Sequence, residues 1–64
     1  MIRFNYEGTD TDRDISAEMQ TVASVAADIA GWSSGVSIHV TQTSATTWTV
    51  TAQGETVTAE VIDA

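Results

Sequence analysis

Thr47-Trp48-Thr49-Val50-Thr51-Ala52-Gln53-Gly54-Glu55-Thr56-Val57-Thr58-Ala59-Glu60-Val61 alternates apolar and polar residues on both sides of a Gln-Gly pair. Trp48, Val50 and Ala52 alternate with Thr47, Thr49 and Thr51, and Val57, Ala59 and Val61 alternate with Thr56, Thr58 and Glu60. A period of two puts one apolar face on each run, the signature of a half-buried strand. Gln53-Gly54 between them is a tight-turn signal, because glycine accepts positive φ. The stretch predicts an antiparallel hairpin with one face in a core and a threonine-rich face in water.

Val36, Ile38 and Val40 alternate with Ser37, His39 and Thr41, which adds a third strand to the meander. Trp32-Ser33-Ser34-Gly35 before it is a short connection, with Trp32 folding back on the last turn of a preceding helix. That helix is read from Ile15, Met19, Val22, Ala26 and Ile29, whose spacing at 100° per residue keeps them within about 40° of one line. The spacing predicts a helix from about Asp14 to Ala30. Asp12, Asp14 or Ser16 would cap it, Asp14 and Glu18 would suit its positive end, and Gly31 would supply the left-handed exit. Ile2, Phe4 and Tyr6 alternate with Arg3, Asn5 and Glu7 as a first strand ended by Gly8, and the all-polar run from Gly8 to Asp14 reads as a loop. The expected fold is α+β, in the order β-α-β-β-β: one amphipathic helix on one face of a four-stranded, mainly antiparallel sheet. A chain of 64 residues makes a single domain, 1–64. Whether the first strand pairs with the second or the fourth is not set by the pattern.

The charge balance is the abnormal feature. There are 9 acidic residues and 2 basic ones, a formal charge of -7. Average usage would give about 16 charged residues in this length, roughly half of them basic, so the bases are missing rather than the acids in excess. A GC-rich coding bias removes lysine but raises arginine, and here arginine is scarce too. Every term that drives binding to nucleic-acid phosphate is lacking, and the sign is wrong for anionic membranes. A charge-steered partner would be basic. The alternative is that acidity serves solubility or adaptation to high salt. No run approaches the ~18 apolar residues of a membrane helix, and Met1-Ile2-Arg3-Phe4-Asn5 lacks the apolar region of a signal peptide, so a cytoplasmic protein is expected. Without cysteine, disulfides and thiolate metal sites are excluded.

Asp10, Asp12 and Asp14 open like an EF-hand calcium loop, but Ile15 stands where that loop needs glycine and Thr21 where it needs a bidentate glutamate. No metal and no cofactor are expected. Helix capping does not account for the density of Glu7, Asp10, Asp12, Asp14 and Glu18, opposed locally only by Arg13. These five acids are the candidate partner-binding ridge, with Glu55 and Asp63, at the far turn and tail, expected to lie away from it. His39 alone, on the open face of a strand, does not make a catalytic triad, and one helix on one sheet leaves no cleft to split carboxylate pKa values. The protein is expected not to be an enzyme. The threonines on the wet sheet face are good strand formers before they are an ice-binding array, since short twisted strands make a poor flat lattice. A ubiquitin-type modifier is excluded by element order and by the Val61-Ile62-Asp63-Ala64 tail.

The Glu7 to Glu18 acids, the near absence of bases and the compact cysteine-free chain give the sequence a likeness to a known group. It resembles the phage-encoded anti-CRISPR proteins, particularly those that act as double-stranded DNA mimics, across the whole chain in size, charge and element order. The resemblance implies a monomeric, non-catalytic inhibitor acting in the cytoplasm of a bacterial host. It would present carboxylates where a CRISPR effector complex expects phosphates. The competing class is a small structural or assembly module.

Overall fold

The computed structural model of the chain describes residues 1–62. The elements are β1 (Ile2–Tyr6), β2 (Thr9–Arg13), α1 (Met19–Ala30), β3 (His39–Ser44), β4 (Thr47–Ala52) and β5 (Glu55–Val61). They form one five-stranded sheet in the order β2-β1-β5-β4-β3, with every neighbouring pair antiparallel. The α+β class and the single helix are as the sequence predicts. The first strand pairs with the last, Phe4 opposite Ala59, which extends the sheet beyond the β4–β5 hairpin.

The strand count differs from the expected four because residues 9–13 form a strand rather than a loop. Glu7 and Gly8 take φ of 52° and 82°, the positive pair that a two-residue hairpin turn requires, and Tyr6 comes opposite Thr9. A side chain at position 8 would be strained by this φ, so Gly8 permits a hairpin that Glu7 alone would resist. The strand was hidden for a physical reason. The helix packs on β1, β3, β4 and β5 and meets β2 only through Asp28 beside Arg13, so no residue of β2 is buried: Thr11 and Arg13 are partly covered on the helix side and the other face is open. A strand with no buried residue carries no apolar alternation, and Thr9, Asp10, Thr11, Asp12 and Arg13 read as loop.

The helix begins at Met19, not near Asp14. β2 leaves the chain at the sheet's edge, and residues 14–18 carry it back over the sheet centre. Extended chain covers about 3.3 Å per residue against 1.5 Å in a helix, so this crossing is made without helical turns. Glu18 at the helix start is extended (φ −114°, ψ 143°) with no side-chain cap, and the first turn holds no acid. The expected capping by Asp12, Asp14 or Ser16 is therefore absent. Gly31 (φ 74°) ends the helix, its N–H donating to the Asp28 carbonyl at 3.2 Å and that of Trp32 to Ala27 at 3.0 Å.

Val22 and Ala26 are the fully buried helical residues, set against Ile2, Phe4, Trp48, Val50, Ala52, Val57 and Ala59 of the sheet, with Trp32 closing one end. Ile15 and Ile29 pack against this core from its margin, but Met19 is 49% exposed and leaves the predicted stripe. The third expected strand, residues 36–41, starts later, at His39, which sits opposite Thr51. In this register Val36 falls beyond the end of β4 at Ala52, and Val36 and Ile38 pack on the core from the segment that precedes the strand. No helix among the described residues is long and apolar enough to cross a membrane.

Candidate functional site

The strand periodicity of β2 sorts the acidic residues by face. Asp10 and Asp12 project on the sheet face away from the helix, opposite Asn5 and Arg3 of β1, while Thr9, Thr11 and Arg13 fall on the other. Arg3 Nε donates to Asp12 Oδ1 at 2.9 Å and Nη2 to Oδ2 at 3.2 Å. Asn5 Nδ2 donates to Asp10 Oδ1 at 2.8 Å. The hydrogen bonds and charge of Arg3 hold the Asp12 carboxyl below its usual range, and Asp12 in turn raises Arg3, with Asp10 and Glu60 adding to its field. Of the predicted ridge, the structure brings Asp10 and Asp12 together, puts Glu7 in the adjoining turn, and leaves Asp14 and Glu18 exposed in the crossing that follows. Arg13 does not oppose the ridge. It turns to the helix side, where Nη2 lies 4.0 Å from Asp28 Oδ2.

Two polar rows cross the open face in register. Thr41, Thr49, Thr58, Asn5 and Asp10 form one, and Thr47, Glu60, Arg3 and Asp12 the other. Between them lies a shallow depression of about 500 Å³, lined among others by Arg3, Asn5, Asp10, Thr47, Thr58 and Glu60. At its β3 end the hydroxyls are used on one another: Thr43 Oγ1 and Ser44 Oγ lie 2.6 and 2.7 Å from Thr47 Oγ1. His39, exposed at the edge, stands opposite Thr51. Among the described residues no group of three or more histidine or carboxylate side chains is placed to hold a metal ion.

Glu55 is the residue that sequence reasoning misplaced. It is no remote turn acid, because both its oxygens are engaged: Tyr6 Oη donates to Oε2 at 2.8 Å and Trp32 Nε1 to Oε1 at 2.7 Å. One half-buried carboxylate thus ties β1, the helix exit and β5 together. Trp32 does fold back on the helix end, as predicted, but its ring is buried and held by the sheet. A signal existed in the sequence, since Glu55 shares the inward face with Val57, Ala59 and Val61 and is an acid where the pattern asks for an apolar residue. Asp63 lies outside the described residues.

These bonds set a pH window. The Trp32 and Tyr6 donors lower the Glu55 pKa, while the same carboxylate and burial push the Tyr6 hydroxyl up to about 12. A lowered carboxylate contributes stability above its unfolded pKa of about 4.3 that is lost as pH falls through the folded value. A raised tyrosine contributes stability below its unfolded pKa of about 10 that is lost as pH rises toward the folded value. Thermal melts followed by tryptophan fluorescence should show Tm falling on both sides of a plateau. Tyr6→Phe should remove the decline above pH about 10, and Glu55→Gln should reduce both, whereas Glu60→Gln should change neither. An unaltered alkaline limb in Tyr6→Phe would exclude the assignment.

Comparison with known proteins finds no matching protein-family model, no matching curated sequence and no matching solved structure. The site is therefore defined by its own geometry. It is a polar, open sheet face with an acidic edge, and it presents carboxylates and hydroxyls to solvent.

Proposed function

We propose that the protein is a small, non-catalytic inhibitor that binds a basic nucleic-acid-binding surface. It acts in the manner of the DNA-mimic anti-CRISPR proteins it resembles, by competing with target DNA for an effector complex. The observation that carries this reading is the placement of Asp10 and Asp12 side by side on an exposed strand, continued by Glu7 and Asp14 at its ends. Alternate strand residues stand ~6.6–6.8 Å apart, a charge spacing wider than the ~1.7 Å per charge of a duplex axis. The strand can replace a few phosphates in front of Lys and Arg side chains, not a whole groove's worth. Such contacts are charge-assisted, fast to form and weakened by salt.

The alternative reading is an assembly module whose acidity serves solubility. The bidentate grip of Arg3 on Asp12 favours it, since one ridge carboxylate is then already matched within the chain. Duplex-DNA binding by a purified CRISPR effector complex, measured by gel shift with and without the protein, separates the two. Release of DNA at low salt that fades at high salt supports inhibition. Unchanged DNA binding at large molar excess of the protein, across several effector types, overturns it.

A further inference from the structure

The sheet has two free edges and they are not alike. β3 breaks its register between Gln42 and Ser44, whereas β2 pairs with β1 without interruption from Ile2–Arg13 to Tyr6–Thr9. A two-residue turn is closed by hydrogen bonding between the residues that flank it, here Tyr6 and Thr9. Antiparallel pairs alternate between bonded and non-bonded, so the next bonded pairs are Phe4–Thr11 and Ile2–Arg13. The N–H and C=O of Asp10 and Asp12 therefore point off the sheet, away from β1. The residues with free backbone groups are the ones that carry the carboxylates.

Natural sheets blunt such an edge with lysine, proline, a bulge or a covering helix. β2 has none of these, since its sequence lacks Lys and Pro, its pairing is regular and the helix meets it only through Asp28 beside Arg13 at the strand's end, leaving Asp10 and Asp12 open. What guards it is charge of one sign on one face. In an antiparallel pair of two β2 strands centred on Thr11, Asp10 would face Asp12 of the second copy, and like charges directly opposite are destabilising. The same arrangement favours a strand of opposite charge.

We propose that the β2 edge accepts an extended basic segment of the partner as a sixth strand, with Lys or Arg at alternate positions opposite Asp10 and Asp12. The proposal rests on the acidic-surface reading above and adds the mode of docking. Main-chain hydrogen bonds to Asp10 and Asp12 supply the affinity, as in other strand-addition complexes. The alternation supplies the selectivity, because residues opposite Asp10 and Asp12 project on the same face as the two carboxylates. Those carboxylates retain acceptor capacity, since Asp10 accepts one bond from Asn5 and Asp12 accepts two from Arg3 out of about four sites each.

The test uses the intact protein and three synthetic probes. One is a short peptide alternating lysine and threonine, the second has the same composition with its lysines in one block, and the third is the alternating peptide N-methylated at every second residue along its pairing edge. Amide hydrogen exchange by NMR is the readout. The alternating peptide should slow exchange at Asp10 and Asp12 by about tenfold or more. Thr9 and Thr11, already bonded to β1, should keep their protection, and the methylated peptide should lose the effect. Binding of all three peptides alike, with Asp10 and Asp12 exchange unchanged, overturns strand addition while leaving the acidic-surface reading intact. No binding by any of them at low salt also overturns it. Protection of the same amides in the protein alone, rising with its concentration, would put a second copy on the edge instead and overturn the basic segment. The acidic-surface reading itself fails separately, if Asp10→Lys leaves the DNA competition unchanged.

Discussion

Val22→Asp should abolish the folded state. Val22 is fully buried, and among the described residues every other buried one is apolar, with no buried polar or charged group to receive a carboxylate. An unpaired charge in such a place costs several kcal/mol or forces the group to take up a proton. A single core in a domain below ~70 residues supplies no more than about 3–5 kcal/mol of net stability, so the loss is of the same size as the whole. Circular dichroism should report an unfolded chain at 25 °C. The companion variant is Met19→Asp, one helical turn earlier on the stripe that the sequence predicts to be buried. Met19 is half exposed, so this variant should remain folded with a Tm close to that of the parent. Equal damage from both substitutions would mean that the helix sits on the sheet in a different rotation.

The second large effect is on binding. Asp10→Lys should weaken competition with duplex DNA by about tenfold or more, because a charge-assisted contact becomes a repulsion at the centre of the proposed surface. The edge strand has no buried residue and Asp10 is exposed, so folding should survive. Adding Asp12→Lys should deepen the loss, though it also sets a lysine against Arg3, and the variant needs a melt beside the binding curve. The control is the double variant Ser37→Lys/Ala45→Lys, two exposed positions beside β3 at the opposite edge of the sheet, which changes net charge equally away from β2. Glu55 is unsuited to that purpose, since its reversal would break the bonds to Tyr6 and Trp32. If the control and Asp10→Lys weaken competition to the same extent, overall charge is responsible and no localised site exists. If neither weakens it, the acids serve solubility and the assembly-module reading takes over.

The two proposals about β2 are linked by a trade between protection and recognition. An edge strand must avoid its own kind, and carboxylates do this as well as lysine does, by like-charge repulsion. Lysine on the edge would repel a basic partner, whereas aspartate at Asp10 and Asp12 repels only an acidic one. With few bases elsewhere in the chain, the edge has no internal basic strand to capture. The composition and the topology thus act in the same direction.

Some of this was determined by the sequence alone. The β4–β5 hairpin, the inward face of β1 and the helical residues Val22 and Ala26 were legible because each has one buried side. Burial of one side writes a period of two or of 3.6 into the apolar residues. The acidic balance was legible too, since net charge needs no coordinates. Tertiary structure alone decided the rest. β2 could not be read, because a strand with no buried residue leaves no hydrophobic record, and with it went the pairing of Asp10 with Asn5 and of Asp12 with Arg3. The helix start moved from Asp14 to Met19 because the chain had to cross from the edge strand to the sheet centre, a distance that local propensity does not contain. Glu55 became a structural tie because folding brings Tyr6 and Trp32, 49 and 23 residues away in the chain, to its two oxygens, and no local pattern encodes a meeting over that separation.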